Sequence, residues 1–540
     1  MRDGYRENTG VNFAVDVLDR LPPNQLALVE LARDGTRREW SFGEVADRSA
    51  RLAGALTRRG VGRGDVVMTL IGNRPEWVLT MLACFRLGAV VLPCTEQLRA
   101  KDLRLRLAVA RPQLVLAGER NREELEAALE SKPPKPSAPT TTPSGTEGGG
   151  GDVAQGRGWS AAESRGWSPA DVEVVFLPND SLFDAQPAPA AELAPKDPCL
   201  ITFTSGTAGE PKAVLHGQRY LLGQRLQADH WLGARAGELV WCTAASGWSK
   251  SARNVFIAPW LSGAAALLHD ARFDPVERME LLARERVNVL CMAPTEYRVI
   301  AKRATLAPLP DLRGMVAAGE ALNPAVLHAW HETTGLYIRD GYGQTETGQL
   351  TGIPLEEEPR PGSMGRALPG VGLDVVDGEL VANPRSVPTF FLGYLGEQVR
   401  RRTDGGWKVH EDRGAGGPWH TGDRVRRDEQ GYLYFEGRTD DVIVSAGYRI
   451  GPFEVESALV AHPAVAEAAA VSAPDEERGA VVRAVVVLRD GHTPSPQLAG
   501  ELQEHVKRLT APYKYPRIVD FAPELPKTAS GKVKRAQLRG

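Results

Sequence analysis

The stretch CLITFTSGTAGEPKAVLHG, residues 199–217, changes character twice. Cys199 to Phe203 is an apolar run that reads as a buried strand. Thr204 to Lys212 then carries Gly, Ser or Thr at every second or third place, and Ala213–Val214–Leu215 resumes as a strand. Small residues such as Gly206 and Gly209 let the backbone approach a ligand closely. The hydroxyls of Thr204, Ser205 and Thr207 and the neighbouring N–H groups are donors, and Lys212 adds a positive charge. A loop of this composition suits an anion, above all a phosphate chain. It is not a Walker A loop, because Lys212 follows Pro211 and precedes Ala213. A flexible surface connection has the same composition, so the loop alone leaves that reading open.

Upstream of the loop, helices and strands alternate. Ser41–Phe42–Gly43–Glu44 is a capping-box pattern that starts a helix burying Val45, Leu52 and Leu56 and stopping at Gly60. Val66 to Ile71 reads as a strand, Pro75 to Leu87 as a helix and Ala89 to Leu92 as another strand. This alternation implies a parallel sheet covered by helices. Residues 131–170 lose all periodicity and are dominated by Pro, Thr, Ser and Gly, the composition of a disordered surface insertion. They do not read as a domain boundary, because the loop and its sheet follow them. A neutral insertion is favoured over a regulatory one.

Downstream, Val240 to Thr243, Val287 to Met292 and Met315 to Ala317 are strand-like, the last ending in the turn Ala318–Gly319–Glu320. Leu373 to Val381 suggests a small β region, and the polar, Gly-rich stretch 399–418 a surface excursion. A domain boundary is expected near Gly437–Asp441. Beyond it come a helix (Glu454 to Ala461), strands (Val465 to Val471 and Val481 to Leu488) and a helix (Gln497 to Leu509), a compact α+β unit of ordinary domain size.

Composition narrows the function classes. The chain has 540 residues, 42% of them hydrophobic, enough for more than one substantial core. A formal net charge of -3 with 25% charged residues gives no support for a nucleic-acid surface. The 5 cysteines form no CxxC pair and sit mostly in apolar stretches, which reads as reduced core thiols of a cytoplasmic protein. MRDGYRENTG is not a signal peptide, and the longest uncharged apolar run, Val255 to Leu268, is too short for a membrane span.

TSGTAGEPK resembles the phosphate loop of the adenylate-forming superfamily, which includes acyl- and aryl-CoA synthetases, carrier-loading adenylation domains and luciferases. Three further stretches match in the same order: YGQTE at 342–346, HTGD at 420–423 continuing to GRTDDVIVSAGYRIGPFEVE at 437–456, and PKTASGKVKR at 526–535. Together they cover most of the chain from about residue 40 onward. Ala208 departs from the pattern, which usually has Ser or Thr there. The resemblance implies an α/β fold, with a large multi-layered domain (1–437) of parallel sheets and a small β region. A small mobile α+β domain (438–540) carries the catalytic lysine.

The implied chemistry has two steps. A carboxylate attacks the α-phosphorus of ATP to give an acyl-adenylate and pyrophosphate, and the thiol of CoA then displaces AMP. By resemblance, Thr204 to Lys212 hold the β- and γ-phosphates. The Tyr342 ring lies against adenine beside Gly343 and Gln344, Thr345 meets the α-phosphate, and Glu346 binds Mg²⁺. Gly319–Glu320 line the adenine pocket, Asp423 accepts from the ribose hydroxyls, Arg438 belongs to the same site, and Asp440 is the hinge. Lys532 is the lysine that reaches the carboxylate and α-phosphate. Ser445–Ala446–Gly447 form a slot for the pantetheine arm of CoA, with Arg449, Arg478, Lys507, Tyr515 and Arg517 as candidate contacts or ordinary surface charges. Gly247–Trp248–Ser249–Lys250 is similar to medium-chain acyl-CoA synthetases, in which the Trp forms a wall of the acyl site, although a buried structural Trp is the plainer reading. The expected partners are a medium-chain fatty or aromatic acid, ATP and CoA. Two alternatives stand: an enzyme loading a separate carrier protein, and a catalytically silent nucleotide-binding protein that kept the fold.

Overall fold

The computed structural model describes residues 11–130, 168–204, 211–319, 324–396, 398–401, 406–409, 416–439, 441–445, 448–475, 478–528 and 531–539. Two seven-stranded sheets form the frame of the large unit. One runs Gly393–Tyr394, Ala213–Gly217, Pro198–Phe203, Val90–Cys94, Val66–Leu70, Leu114–Gly118 and Glu173–Leu177 from edge to edge. The other runs Ile338–Gly341, Gly314–Ala318, Val289–Met292, Leu239–Cys242, Ala265–His269, Leu26–Leu31 and Arg37–Ser41. Most neighbours are parallel. The exceptions are the antiparallel hairpin flanking the phosphate loop, its short neighbour Gly393–Tyr394, and the pair Leu26–Leu31 with Arg37–Ser41.

Strands such as Val66–Leu70 and Leu114–Gly118 are buried at every position, as sheets covered on both faces require. Successive side chains therefore enter different cores. Val67 joins an inner cluster that also holds Val240, Ala266 and Val316 of the other sheet, while Val66, Met68 and Leu70 join an outer one. The inner cluster surrounds the helix Pro75–Leu87, in which eleven of thirteen residues are buried, so this helix is interior rather than amphipathic. Pro75 opens it and Gly88 closes it in the left-handed conformation at φ 70°. Phe42–Arg58 joins it through Leu52, Ala53 and Leu56 and begins with the expected Ser41–Glu44 capping box. A third core on the outer face of the second sheet collects Leu282, Tyr297 and Trp330. The result is layers of helix, sheet, helix, sheet and helix.

A four-stranded antiparallel sheet follows, ordered Leu373–Val376, Glu379–Ala382, Trp419–Arg427 and Leu433–Arg438. The C-terminal unit packs helices Pro452–Val460 and Pro496–Leu509 on a sheet of Val465–Asp475, Gly479–Leu488 and Ile518–Phe521, with its own core around Val455, Leu459 and Leu502. Sequence reading located all of these except several strands, notably Leu26–Leu31, Arg37–Ser41, Leu114–Gly118, Ala265–His269 and Ile518–Phe521. Of the stretch 399–418, the described part includes the paired strands Val399–Arg401 and Trp407–Val409.

The insertion expected over 131–170 lies almost wholly outside the described residues. On either side of it, the helix Arg122–Glu130 touches the turn Pro169–Asp171, and Leu114–Gly118 pairs in parallel with Glu173–Leu177. A short linker spans this distance. Replacing residues 134–165 by a few Gly and Ser residues should therefore leave the thermal midpoint and the turnover close to those of the full chain. Loss of folded protein on that replacement would show that the segment packs against the domain.

Candidate active site

Several of the expected site residues follow the carboxyl ends of strands of both large sheets, where open α/β sheets place ligands. Pro198–Phe203 leads into Thr204, Leu239–Cys242 into the loop of Trp248, Gly314–Ala318 into Gly319, and Ile338–Gly341 into Tyr342. The loop 204–212 is the turn of a hairpin whose neck is tied twice. Thr204 N–H donates to the Lys212 carbonyl at 2.9 Å, and Lys212 N–H donates to Thr204 Oγ1 at 2.9 Å. Ser205, Gly206, Thr207, Ala208 and Gly209 lie outside the described residues.

Lys212 and Glu346 meet at one aromatic ring. The Lys212 ammonium lies 4.6 Å from the centre of the Tyr394 ring, and the Tyr394 hydroxyl donates to Glu346 Oε1 at 2.7 Å. Phe391 N–H donates to the Glu346 backbone carbonyl at 2.9 Å, so the residue is held at both its backbone and its side chain. Tyr394 was not singled out by sequence. It belongs to the two-residue edge strand that pairs beside Val214, and nothing in its local pattern marks it.

Asp423 is the second centre. It is 5% exposed, and burial pushes its carboxyl up against the pull of Arg438. Its Oδ2 accepts from the Tyr342 hydroxyl at 2.5 Å and from Gln344 Nε2 at 2.9 Å, and its Oδ1 from Arg438 at 3.2 Å. Gln344 is itself held by Trp419 Nε1 at 3.0 Å and donates to the Thr421 carbonyl at 2.7 Å. The YGQTE and HTGD segments, some eighty residues apart, thus form one network around a single carboxylate. Gly343 is required for the fold of this segment, since a Cβ there would lie 1.9 Å from the Gly348 carbonyl oxygen.

Thr345 is half-buried, and its hydroxyl has no partner among the described residues. Behind it lies His216, 1% exposed and packed against Tyr220 with ring centres 4.0 Å apart. Burial, aided by Arg253 and Arg219, pushes this imidazole down to about 3 and keeps it neutral. No hydrogen bond of good geometry reaches either ring nitrogen, although the backbones of Thr345 and Thr389 lie close enough to favour its proton.

Lys250 donates to the Ala318 carbonyl. Its ammonium sits where a side chain at position 319 would go, 1.8 Å from an added Cβ, and Gly319 has φ +103°, so glycine is needed there twice over. Trp248 is half-buried, in contrast to Trp77, Trp231, Trp241, Trp260 and Trp330, which are fully buried in the cores.

The C-terminal candidates form a separate group. Lys507 lies 4.2 Å from the centre of the Tyr515 ring and Arg517 5.0 Å from it. Ser445 is buried and sits across from Tyr448, whose exposed ring stacks on Tyr513 at 4.4 Å. Arg478 is exposed, and its N–H donates to Asp475. Lys532 is half-buried on a turn closed by Thr528 N–H to the Lys532 carbonyl at 2.8 Å. Among the described residues, no hydrogen bond, ion pair or ring contact joins it to Thr345, Glu346 or Asp423. Glu320, Asp440, Ala446, Gly447 and the Arg449 side chain lie outside what is described. A separate cleft of about 850 Å³, between His230, Arg366 and Arg427, contains none of the expected site residues.

The model of the family described as "AMP-binding enzyme" matches residues 17–395, and that of its C-terminal domain matches residues 454–532. The chain belongs to the AMP-binding enzyme family. Among its relatives, the uncharacterized acyl-CoA ligase YtcI of Bacillus subtilis is 36% identical over 95% of this chain and 92% of its own length. The mitochondrial acyl-coenzyme A synthetase ACSM4 of Homo sapiens is 36% identical over 98% of this chain and 90% of its own. The benzoate CoA ligase of Burkholderia xenovorans is 25% identical, with a TM-score of 0.80 over 98% of this chain and all of that one. The anthranilate CoA ligase AuaEII, solved with anthranoyl-AMP, is 27% identical, with a TM-score of 0.79 over 98% of this chain and 97% of its own.

One acid of this AMP-binding enzyme was missed by sequence. Asp340, two residues before Tyr342, is 7% exposed, and burial pushes its carboxyl up to about 8 despite the Gly341 N–H at 2.8 Å and the charge of Lys250. Its folded value lies above the unfolded one near 4, so between these values the folded state holds one more proton than the unfolded state. Stability therefore falls as pH rises across that window, at roughly 1.4 kcal/mol per pH unit, and levels off above it. Asp340→Asn removes this dependence. Thermal melting should show the variant gaining on the unmodified chain from about pH 5 to about pH 8 and holding a constant lead above that. Parallel melting curves across the window would mean that Asp340 is ionised in the fold.

Proposed function

We propose that the two centres around Glu346 and Asp423 hold the two ends of ATP while a carboxylic acid attacks its α-phosphorus. The chain is an ATP-dependent, AMP-forming acid:CoA ligase working through an acyl-adenylate, and its relatives over nearly the whole length are acyl-CoA synthetases and ligases. The meeting of Lys212 with Glu346 at Tyr394 carries the site assignment, because it sets a cation for phosphate beside a carboxylate for metal.

In this reading the 204–212 loop takes the β- and γ-phosphates and Thr345 the α-phosphate. Asp423 and Arg438 take the ribose, and the Tyr342 ring and the Gly319 turn flank adenine. Magnesium suits the donor set: one Glu346 oxygen engages Tyr394, and no cluster of three His, Cys, Asp or Glu able to hold a metal occurs among the described residues. A cation that keeps phosphate oxygens and water as its main ligands needs only one or two protein carboxylates. It would offset charge on the departing pyrophosphate. Trp248 walls the acid pocket.

Residues 1–437 form the large domain and 438–540 the small one, which turns about Asp440 between the two steps. That no contact joins Lys532 to Thr345 among the described residues supports such a movement. After the turn, Ser445 to Gly447 admit the pantetheine arm, and the cations around Tyr515 suit the phosphates of CoA. We place the reaction in a reducing compartment such as the cytoplasm, since all five cysteines are free and buried.

One residue should separate the half-reactions. An ammonium at the α-phosphate stabilises the adenylation transition state, and losing such a group costs about 10²–10³ in rate. Lys532→Ala should form acyl-adenylate slowly from acid and ATP, yet convert supplied acyl-adenylate and CoA to thioester at close to the normal rate. The defect of Glu346→Ala should ease with added Mg²⁺, whereas that of Lys532→Ala should not. Equal slowing of both half-reactions by Lys532→Ala would refute the domain movement. AMP release that responds to a carrier-protein thiol and not to CoA would transfer the chain to the carrier-loading class.

A further inference from the structure

Arg253 is a buried arginine without an ion pair. It is 3% exposed, its Nε is sealed from solvent with no acceptor, and its guanidinium meets no carboxylate or other hydrogen-bond acceptor among the described residues. Arginine stays protonated in proteins and offers five N–H donors in a planar fork. Folded chains rarely leave such a group unmatched, because removing its charge from water carries a large desolvation cost.

Its surroundings are polar and equally unmatched. Gln227 Nε2 donates to Asn254 Oδ1 at 2.8 Å, while Gln227 Oε1, Asn254 Nδ2 and Gln224 Oε1 have no partners among the described residues. Both segments that bring these residues together contain a widened turn, Ala228–Leu232 and Arg253–Ile257, a departure from α geometry frequent at functional sites. One residue, His216, links the place to Thr345, the proposed α-phosphate contact. Arg253 acts electrostatically on His216, Tyr220 and Cys291, and His216 backs onto Thr345. Arg253 also follows Trp248 by little more than one helical turn.

We propose that Arg253 receives a second carboxylate on the acid, so that the substrate is a dicarboxylic acid converted to its mono-CoA thioester. This rests on the ligase reading above and names its substrate class. One carboxylate oxygen bonds to the α-phosphorus as the bond to pyrophosphate breaks. The CoA thiolate, its proton released, then bonds to the acyl carbon and AMP leaves. The distal carboxylate is unchanged throughout. It forms a forked pair with the guanidinium, and Asn254 Nδ2 is a further donor. A plain alkyl chain would leave the guanidinium and Asn254 Nδ2 unpaired, and a site built to hydrogen-bond its substrate rejects analogues that lack the group.

The test pairs diacids with monoacids of equal length, succinate with butyrate, adipate with hexanoate, suberate with octanoate and sebacate with decanoate. Pyrophosphate release in the presence of CoA is measured, and the thioester is identified by mass. At least one diacid should exceed its monoacid by about 100-fold or more in kcat/KM. Arg253→Met should reverse that preference, and Arg253→Lys should keep part of it. The preferred diacid alone should raise the melting temperature of the unmodified chain and not that of Arg253→Met, a readout independent of turnover. Thioester formation that favours the monoacid at every length overturns this inference and leaves the ligase reading standing. Absence of pyrophosphate release with every acid of both series overturns the two together.

Discussion

A helix with no exposed face holds the large unit together. Pro75–Leu87 lies between two sheets and must satisfy both at once, so its side chains fix how far apart and in what register the sheets can stand. Trp77 meets Phe256 edge to face, and Phe256 in turn packs on Trp260, which carries the contact from one sheet's helix to the segment that bears Arg253. Interiors are packed as densely as organic crystals, so such a helix sets distances rather than merely filling space. The loops that hold the candidate site leave the same ends of both sheets. Their mutual geometry is therefore inherited from the packing around this one helix.

Much of that frame was legible because each signal had a local cause. Pro75 at the first turn and Gly88 at the end bounded the helix, and the reciprocal bonds of Ser41 and Glu44 were written in the capping box. The buried strand Val66–Leu70 announced itself as an uninterrupted apolar run, whereas Leu114–Gly118, equally buried, was missed. Arg37–Ser41 did not, because only Trp40 turns inward while Arg37, Arg38 and Glu39 face water. Ile518–Phe521 was too short to show a period, and its place was set by pairing with Gly479–Leu488. Local pattern cannot reveal a neighbour that lies far along the chain.

The site divides along the same line. Motif matching singled out Glu346 and Asp423 together with Tyr342, Gln344 and Arg438, which touch Asp423, yet the other aromatic residues around them had no local mark. Tyr394 is a tyrosine in a two-residue strand, and Trp419 looks like any aromatic beside a polar turn. Asp340 hides within IRDG, where a carboxylate would ordinarily be read as a turn residue. Arg253 belongs to the sequence SARNVF, and a single charge before an apolar run usually snorkels to the surface. Only the folded chain distinguishes a cation that reaches water from one buried beside three amides that each leave one atom unmatched among the described residues.

The outermost strands of the two sheets are all short or polar. Gly393–Tyr394 offers two residues, Ile338–Gly341 four, and Glu173–Leu177 begins with an exposed Glu173 paired to Arg59. Arg37–Ser41 presents Arg37 ion-paired with Glu39 and Glu285. An unpaired strand edge is a template for the next molecule, and the hazard grows with its length and apolarity. The interior strands of this protein, such as VVMTL and LVLAG, would make good templates if they stood at a border. Their confinement to the middle of each sheet, behind brief or charged flanks, keeps the most apolar strands of a chain rich in parallel β-structure away from the borders where strand could add to strand.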